Sequence, residues 1–158
     1  MTKLLEKLNK ESKNLGSLLE VTSSKRIYLS EYKDSGIPFF RSKEIIEASK
    51  GRDISSELYI SNERYEEVKN KFGVPQIGDI LLTSIGTIGI PFIVKDNTPF
   101  YFKDGNLTWF KNYKEINPSF LYYWIVSPKG QSRIESSSIG SSQSALTIDS
   151  IKKLQIDL

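Results

Sequence analysis

The chain has 158 residues, of which 38% are hydrophobic and 11% aromatic, which is enough for a single domain with its own core. It contains no cysteine and no histidine, and this excludes thiol nucleophiles, disulfides, zinc fingers and histidine-based acid/base chemistry. The formal net charge is only +3, from 22 basic and 19 acidic residues, so nucleic-acid binding would have to come from a local patch of charge.

The first third of the chain predicts a helix, a polar loop and a strand. Three leucines on one face predict a short N-terminal helix or tail over residues 1–14, ahead of a domain over residues 15–158. Short apolar elements flank the polar loop at residues 22–26. Residues 36–41 then predict a turn that leads into a strand, with Pro38 at its beginning or at a sheet edge.

The middle of the chain predicts a helix followed by a β-hairpin. Residues 61–69 offer a serine cap, early acidic residues and late lysines, and the helix should end before Gly73. Residues 77–84 and 88–95 read as two strands joined by a glycine-containing turn. Pro91 places the second of these strands at a sheet edge.

A second strand pair and a capped helix are predicted next. Residues 100–102 and 107–110 have strand composition and are separated by a turn-prone Asp-Gly-Asn sequence. Asn117 is then the expected cap of a helix over residues 119–126, with proline at its first position.

The last part of the chain predicts further short elements. These are a helix over residues 130–139, a small-residue loop over residues 140–144, and a last helix that leads into a strand near residues 154–156. The irregular alternation favours an α+β fold, with a mixed, mainly antiparallel sheet, β-hairpins and several short helices in one unit. No apolar run approaches the ~20 residues of a membrane-spanning helix, so a cytoplasmic protein without a membrane partner is expected.

Two short motifs bear on catalysis. The sequence from Asn117 to Phe120 resembles the N-P-P-F/Y loop of amino-methyltransferases, but Ser119 replaces the second proline and helix capping explains the asparagine. Glu67 and Lys69 match half of a metal-dependent nuclease motif, yet side chains two apart on a helix diverge. We therefore predict no catalytic residue, no metal ligand and no cofactor.

Four polar segments are candidates for binding. Residues 22–28 and 41–43 mix hydroxyls with cations, and residues 130–133 and 140–144 combine serines with a glutamine and, in the first of these, an arginine. Such groups suit phosphate contacts and hydrogen bonds to base edges. Solvated loops, caps and turns are the alternative explanation for each segment.

Five stretches, taken in chain order, resemble the target recognition domain of type I restriction-modification specificity subunits. They read L-G-S-L-L-E-V at residues 15–21, G-I-P-F-F-R-S at 36–42, G-D-I-L-L-T-S-I-G-T-I-G at 78–89, F-L-Y-Y-W with Ser127 at 120–127, and G-S-S-Q-S-A-L at 140–146. The stretch at residues 78–89 is the most specific of the five.

The resemblance implies a non-catalytic module that reads one half of a bipartite double-stranded DNA target, mainly through the major groove. The implied partners are methyltransferase subunits and, through them, the restriction subunit, and these would carry the catalysis. In the family a long spacer helix follows each recognition domain, so the chain is expected to be one such domain without that helix. The open alternatives are a protein-interaction or decoy domain that binds methyltransferase subunits without DNA, and a metal-dependent nuclease.

Side-chain type and loop position give a set of expected site residues. Those predicted to contact phosphate or guanine are Lys25, Arg26, Arg41 and Lys43. Those predicted near base edges are Thr87, Arg133, Ser142 and Gln143. Those predicted to shape the hairpin are Gly78, Asp79, Gly86 and Gly89.

Overall fold

The computed structural model describes residues 11–139 and 144–158 as three sheets with helices on both sides. The strands within these residues are β1 (Ser12–Asn14), β2 (Glu20–Thr22), β3 (Ile37–Phe40), β4 (Leu58–Ile60), β5 (Ile80–Thr83), β6 (Pro91–Ile93), β7 (Tyr101–Phe102), β8 (Leu107–Lys111) and β9 (Gln155–Asp157). The helices are α1 (Leu15–Leu18), α2 (Ser42–Ser49), α3 (Asn62–Phe72), α4 (Pro118–Val126), α5 (Pro128–Ser137) and α6 (Ile148–Lys152), and a 3₁₀ turn spans Leu29–Glu31.

The sheets confirm the predicted α+β class. An antiparallel four-stranded sheet has the order β2-β8-β5-β6, a three-stranded sheet has the order β4-β3-β7, and β1 pairs with β9. Only the β3–β7 pairing is parallel among the described strands. The predicted hairpin is present as β5 and β6, and Pro91 begins the edge strand β6, where a missing N–H is tolerated.

Strand β5 is apolar throughout because both of its faces are covered. Alternate side chains of a strand point to opposite faces. Ile80 and Leu82 therefore pack with α1 and α4 to α6 on one side, while Leu81 packs with Trp109 and α2 on the other. All four residues of β5 are buried, and the fold is thus built in layers around this strand.

The three-stranded sheet is covered in the same way. Phe40 and Phe102 face the four-stranded sheet, whereas Phe39 and Tyr101 face α3. The helix α3 begins at the predicted cap, where Ser61 Oγ accepts from the backbone N–H of Arg64 at 3.1 Å. It ends at a glycine with positive φ, as its sequence predicts.

The predicted pairing of residues 100–102 with 107–110 is wrong, although both strands exist. Strand β7 pairs with β3, and β8 pairs with β2 and β5, so residues 103–106 cross from one sheet to the other. The two strands meet face to face, with the rings of Phe102 and Trp109 5.5 Å apart and nearly perpendicular. Burial of these large rings between the sheets determines the pairing, which a turn sequence cannot specify.

Two other predictions need correction. The predicted N-terminal helix does not reach Asn14, because Ser12–Asn14 form β1 and pair with β9; residues 1–10 lie outside the described part of the chain. The helix α2 was not predicted, since Arg41 occupies its cap position in place of a serine, threonine, aspartate or asparagine. The carboxylate of Glu44 supplies the cap instead, as its Oε2 accepts from the backbone N–H of Arg41 at 2.9 Å.

The helices predicted in the last part of the chain are present as α4, α5 and α6, and β9 follows α6. Asn117 caps α4, since its Oδ1 accepts from the backbone N–H groups of Ser119 at 2.8 Å and Phe120 at 3.3 Å. No helix in the described part of the chain is long and apolar enough to cross a membrane.

Candidate nucleic-acid interface

The run at residues 78–89 turns its side chains mainly inward. Gly78 has a φ of +92°, and its N–H donates to Val94 O at 2.8 Å, which closes one end of the β5–β6 hairpin. Asp79 follows and is buried, with its backbone carbonyl accepting from Val94 N at 2.9 Å. The beginning of the run is thus fixed to β6 by its backbone.

The carboxylate of Asp79 satisfies two donors. Its Oδ2 accepts from the indole Nε1 of Trp109 and from the backbone N–H of Gln76, both at 2.9 Å. Burial raises the pKa of Asp79, and these two hydrogen bonds oppose the rise. Asp79 is therefore a buried hydrogen-bond acceptor that orients the Trp109 ring.

The connection between β5 and β6 is a tight loop at residues 84–89. Gly86 and Gly89 have φ values of +75° and +82°, which L side chains rarely adopt. A Cβ at Gly89 would lie 3.1 Å from Ile134 Cγ2, so α5 leaves little space there. Thr87 lies between the two glycines and is exposed.

A second loop, residues 23–28, carries two of the predicted cations. Ile27 is buried, whereas Lys25 and Arg26 are exposed. Arg26 Nε donates to Asp104 Oδ2 at 3.0 Å, and Lys25 Nζ lies 5.3 Å from the ring centroid of Phe72. The hydrogen bond to Asp104 raises the pKa of Arg26 and orients its guanidinium. Within the described residues the two Nη groups of Arg26 donate no hydrogen bond.

The two cations at the start of α2 are paired with carboxylates. Arg41 Nη2 lies 2.8 Å from Oε1 of the buried Glu44 and 2.9 Å from Glu57 Oε2. Lys43 Nζ also contacts Glu57. Arg41 thus neutralises the buried carboxylate of Glu44. The positive charges of Arg41 and Lys43 are balanced by the negative charges of Glu44 and Glu57.

These loops meet around residues 103–106. Asn106 O accepts from Ser84 N at 2.9 Å and from Ser42 Oγ at 3.4 Å, which joins the β5–β6 loop to the start of α2. Asp104 contacts Arg26, which brings in the second loop. We call the surface formed by residues 23–29, 41–43, 84–89 and 103–106 the loop face.

The structure places five of the eight predicted contact residues on the loop face: Lys25, Arg26, Arg41, Lys43 and Thr87. Arg133 is elsewhere, since its guanidinium contacts Gln155 O and Asp157 on β9. Ser142 and Gln143 lie outside the described residues.

Sequence reasoning did not select Leu29, Asp104 and Asn106 as site residues, and it included Tyr28 only as part of the candidate segment 22–28. Asp104 and Asn106 were interpreted only as turn formers, yet they join the other loops. Tyr28 and Leu29 are exposed at the end of the second loop. The available signals were the Asp-Gly-Asn sequence at residues 104–106 and the exposed pair Tyr28 and Leu29, which follows two cations and one buried isoleucine.

The catalytic alternatives find no geometric support. Glu67 pairs with Arg64 and Lys71 along α3, as a solvated helix face does. Asn117 is occupied in capping α4. Within residues 11–139 and 144–158, no three acidic side chains are grouped to hold a metal ion.

The described residues form a layered α+β domain with cations and polar groups on adjacent loops. The chain matches, over residues 7–158, the family described as the type I restriction modification DNA specificity domain. The chain belongs to this family, which confirms the resemblance drawn from its sequence.

A sequence relative and solved structures agree with this assignment. A Haemophilus influenzae protein named as a type I restriction enzyme specificity subunit is 31% identical over 147 residues, which are 91% of this chain and 34% of that protein. The S subunit from M. genitalium has a TM-score of 0.62 at 17% identity, over 94% of this chain and 34% of that one. The HsdS subunit from Thermoanaerobacter tengcongensis has a TM-score of 0.65 at 15% identity, over 94% and 32%.

The two structures share the fold of this chain at low identity. The chain spans about a third of the length of each of these relatives. Its family is that of a specificity domain, in agreement with the expectation of a non-catalytic module.

Proposed function

We propose that this domain reads one half of a bipartite DNA target through the loop face, as part of a specificity subunit whose catalysis lies in other subunits. The observation that carries the proposal is the pairing of Arg26 with Asp104. An arginine whose Nε is fixed by a carboxylate presents its Nη groups in a defined plane, which suits a phosphate or the O6/N7 edge of guanine.

The other predicted contacts contribute differently in this proposal. Lys25 and Lys43 are exposed and supply charge to phosphates. Arg41 mainly holds the buried Glu44 through Nε and Nη2, and in this proposal its Nη1 contributes the contact with DNA. Thr87 and the residues around the β5–β6 loop lie near base edges, while Gly78, Asp79, Gly86 and Gly89 keep that loop in place.

Docking onto methyltransferase subunits, and through them onto a restriction subunit, is the second part of the proposal. One solved relative, with a TM-score of 0.64 at 14% identity over 94% of this chain, has a title that concerns complex assembly of the type I restriction-modification system. The family assignment supports the same arrangement for this domain. We further propose that the domain acts in the cytoplasm.

Selection from a random duplex library tests the proposal. With few phosphate contacts, affinity at physiological salt should lie near the non-specific range of about 10⁻⁴ to 10⁻⁶ M, so selection is done at low salt, where binding tightens. We expect enrichment of one short base pattern. Retention of duplexes without any enriched pattern would contradict sequence-specific recognition of DNA, and no retention at all would favour the decoy alternative.

The matched control is the Arg26→Ala variant carried through the same selection. It should retain duplexes less strongly at every salt concentration. If the variant enriches the same pattern and retains duplexes as strongly as the wild type, Arg26 does not contact the DNA.

A further inference from the structure

We propose that Leu29 is a specificity-determining residue that contacts the C5-methyl group of a thymine in the major groove. The inference rests on the proposed DNA-reading function and assigns a base contact that the polar residues of the loop face do not supply. Among the bases of unmodified DNA, only thymine presents a methyl group in this groove, and apolar side chains recognise it.

The exposure of Leu29 is the first observation. Its relative exposure is 82%, the highest among the exposed large hydrophobic residues of the described chain, and the neighbouring Tyr28 is also exposed. Single exposed apolar side chains are common on protein surfaces, so exposure does not by itself indicate a contact. The surroundings of Leu29 carry the argument further.

The backbone that presents Leu29 is braced on both sides. Glu31 Oε2 accepts from Tyr28 N at 2.8 Å, and Glu31 N donates to Tyr28 O at 2.8 Å. Glu31 Oε1 lies 2.9 Å from Arg64 Nε on α3, which fixes the 3₁₀ turn to a helix. Buried Ile27 anchors the segment before the turn, and the Tyr32 ring, 5.2 Å from Phe39, anchors it afterwards.

The folded domain gains little from a leucine at this exposed position. The apolar tip gains nothing from the core, and the hydrogen bonds of the turn would form equally well around a polar residue. A rigid presentation does reduce the entropy lost on binding, which favours a preformed contact. The arrangement therefore fits a recognition role better than a packing role.

Charge next to the turn favours DNA as the occupant. Ile27 is buried, whereas its neighbours Arg26 and Tyr28 are exposed. The guanidinium of Arg26 is held by Asp104 and lies two residues before the apolar pair. An exposed cation three residues before an exposed leucine suits the major groove, where phosphates border the base edges.

The test replaces each thymine of the selected target, one at a time, by deoxyuridine. This substitution removes the methyl group and retains the base pair. We expect one position at which the 158-residue chain loses affinity about fourfold, the value of one buried methyl-sized group. Because a synthetic library carries no 5-methylcytosine, the methyl group can only be that of thymine.

The Leu29→Ala variant identifies the contact. It should bind the thymine and deoxyuridine targets equally, at the affinity of the wild-type chain for the deoxyuridine target. The control is Ile77→Ala, which removes an equally large aliphatic side chain that is 56% exposed beside Pro118, and it should keep the fourfold difference.

The outcomes separate this inference from the proposed function. If selection yields no base pattern, the proposed function fails and the thymine contact fails with it. If a pattern is found but no thymine is sensitive to demethylation, or Leu29→Ala remains as sensitive as wild type, only the inference is overturned.

Discussion

The run at residues 78–89 and the segment at residues 25–31 differ in where their side chains lie. In the first, Ile80 and Leu82 are buried and Asp79 accepts two hydrogen bonds inside the domain. In the second, only Ile27 is buried, while the side chains of Tyr28 and Leu29 lie in solvent on a braced backbone. The stretch that is easiest to recognise in the sequence therefore builds the scaffold, and a less recognisable stretch presents the contacts.

Replacement of leucine by alanine should lower the free energy of unfolding by very different amounts in the two regions. Leu82→Ala creates a cavity in β5 and should lower the free energy of unfolding by about 2–5 kcal/mol. Leu29→Ala should change it by less than about 0.5 kcal/mol, because its side chain is exposed. Urea denaturation of both variants measures the difference, and equal losses would contradict the contrast.

Removal of the Asp79 carboxylate should be the next largest effect. Asp79→Ala leaves the buried Trp109 indole N–H and the backbone N–H of Gln76 without their acceptor, so we expect a loss of about 1–3 kcal/mol. Asp79→Asn keeps an oxygen acceptor and should lose less. An alanine variant as stable as the asparagine variant would show that the hydrogen bonds do not matter.

The buried carboxylate also predicts a pH dependence. Because burial raises the pKa of Asp79 in the folded state, the folded protein holds this proton more tightly than the unfolded chain does. Its contribution to stability is thus full below the ordinary pKa of about 3.9 and is lost as pH rises through the raised value. As pH rises through this range, wild type should lose stability relative to Asp79→Asn, whose amide does not titrate. A gain in the stability of wild type relative to Asp79→Asn over the same range would contradict the raised pKa.

A small effect is predicted for Arg133, whose guanidinium contacts β9 and not the loop face. Arg133→Ala removes a partly exposed contact with Asp157 and should cost at most about 1 kcal/mol of stability. The salt dependence of DNA binding should not change, because this guanidinium is engaged with β9. A reduced salt dependence of DNA binding by this variant would show that Arg133 contacts DNA.

The sequence predicted the local elements better than their tertiary partners. Caps such as Ser61 and Asn117 are local hydrogen bonds between neighbours, so α3 and α4 were located well. The partners of β7 and β8 depend on how Phe102 and Trp109 pack between two sheets, and no local pattern contains that information.

The loop face shows the same limit. Residue type suggested Arg26, but its partner Asp104 is 78 positions away and was interpreted as a turn residue. Arg133 has the same chemistry, and only the folded structure separates it from the loop face by placing it against β9. Residue type can therefore suggest candidate cations, whereas the folded structure shows which of them lie together.

The salt dependence of DNA binding by Arg26→Ala and Arg52→Ala tests the central claim most directly. The two side chains are exposed to 65% and 64%, and each pairs with one carboxylate, but Arg52 follows the opposite end of α2 from the loop face. If Arg26 neutralises a phosphate, its loss should reduce the slope of log K against log salt by about 1, while Arg52→Ala leaves the slope unchanged. Equal slopes for both variants and the wild type would contradict DNA binding through the loop face.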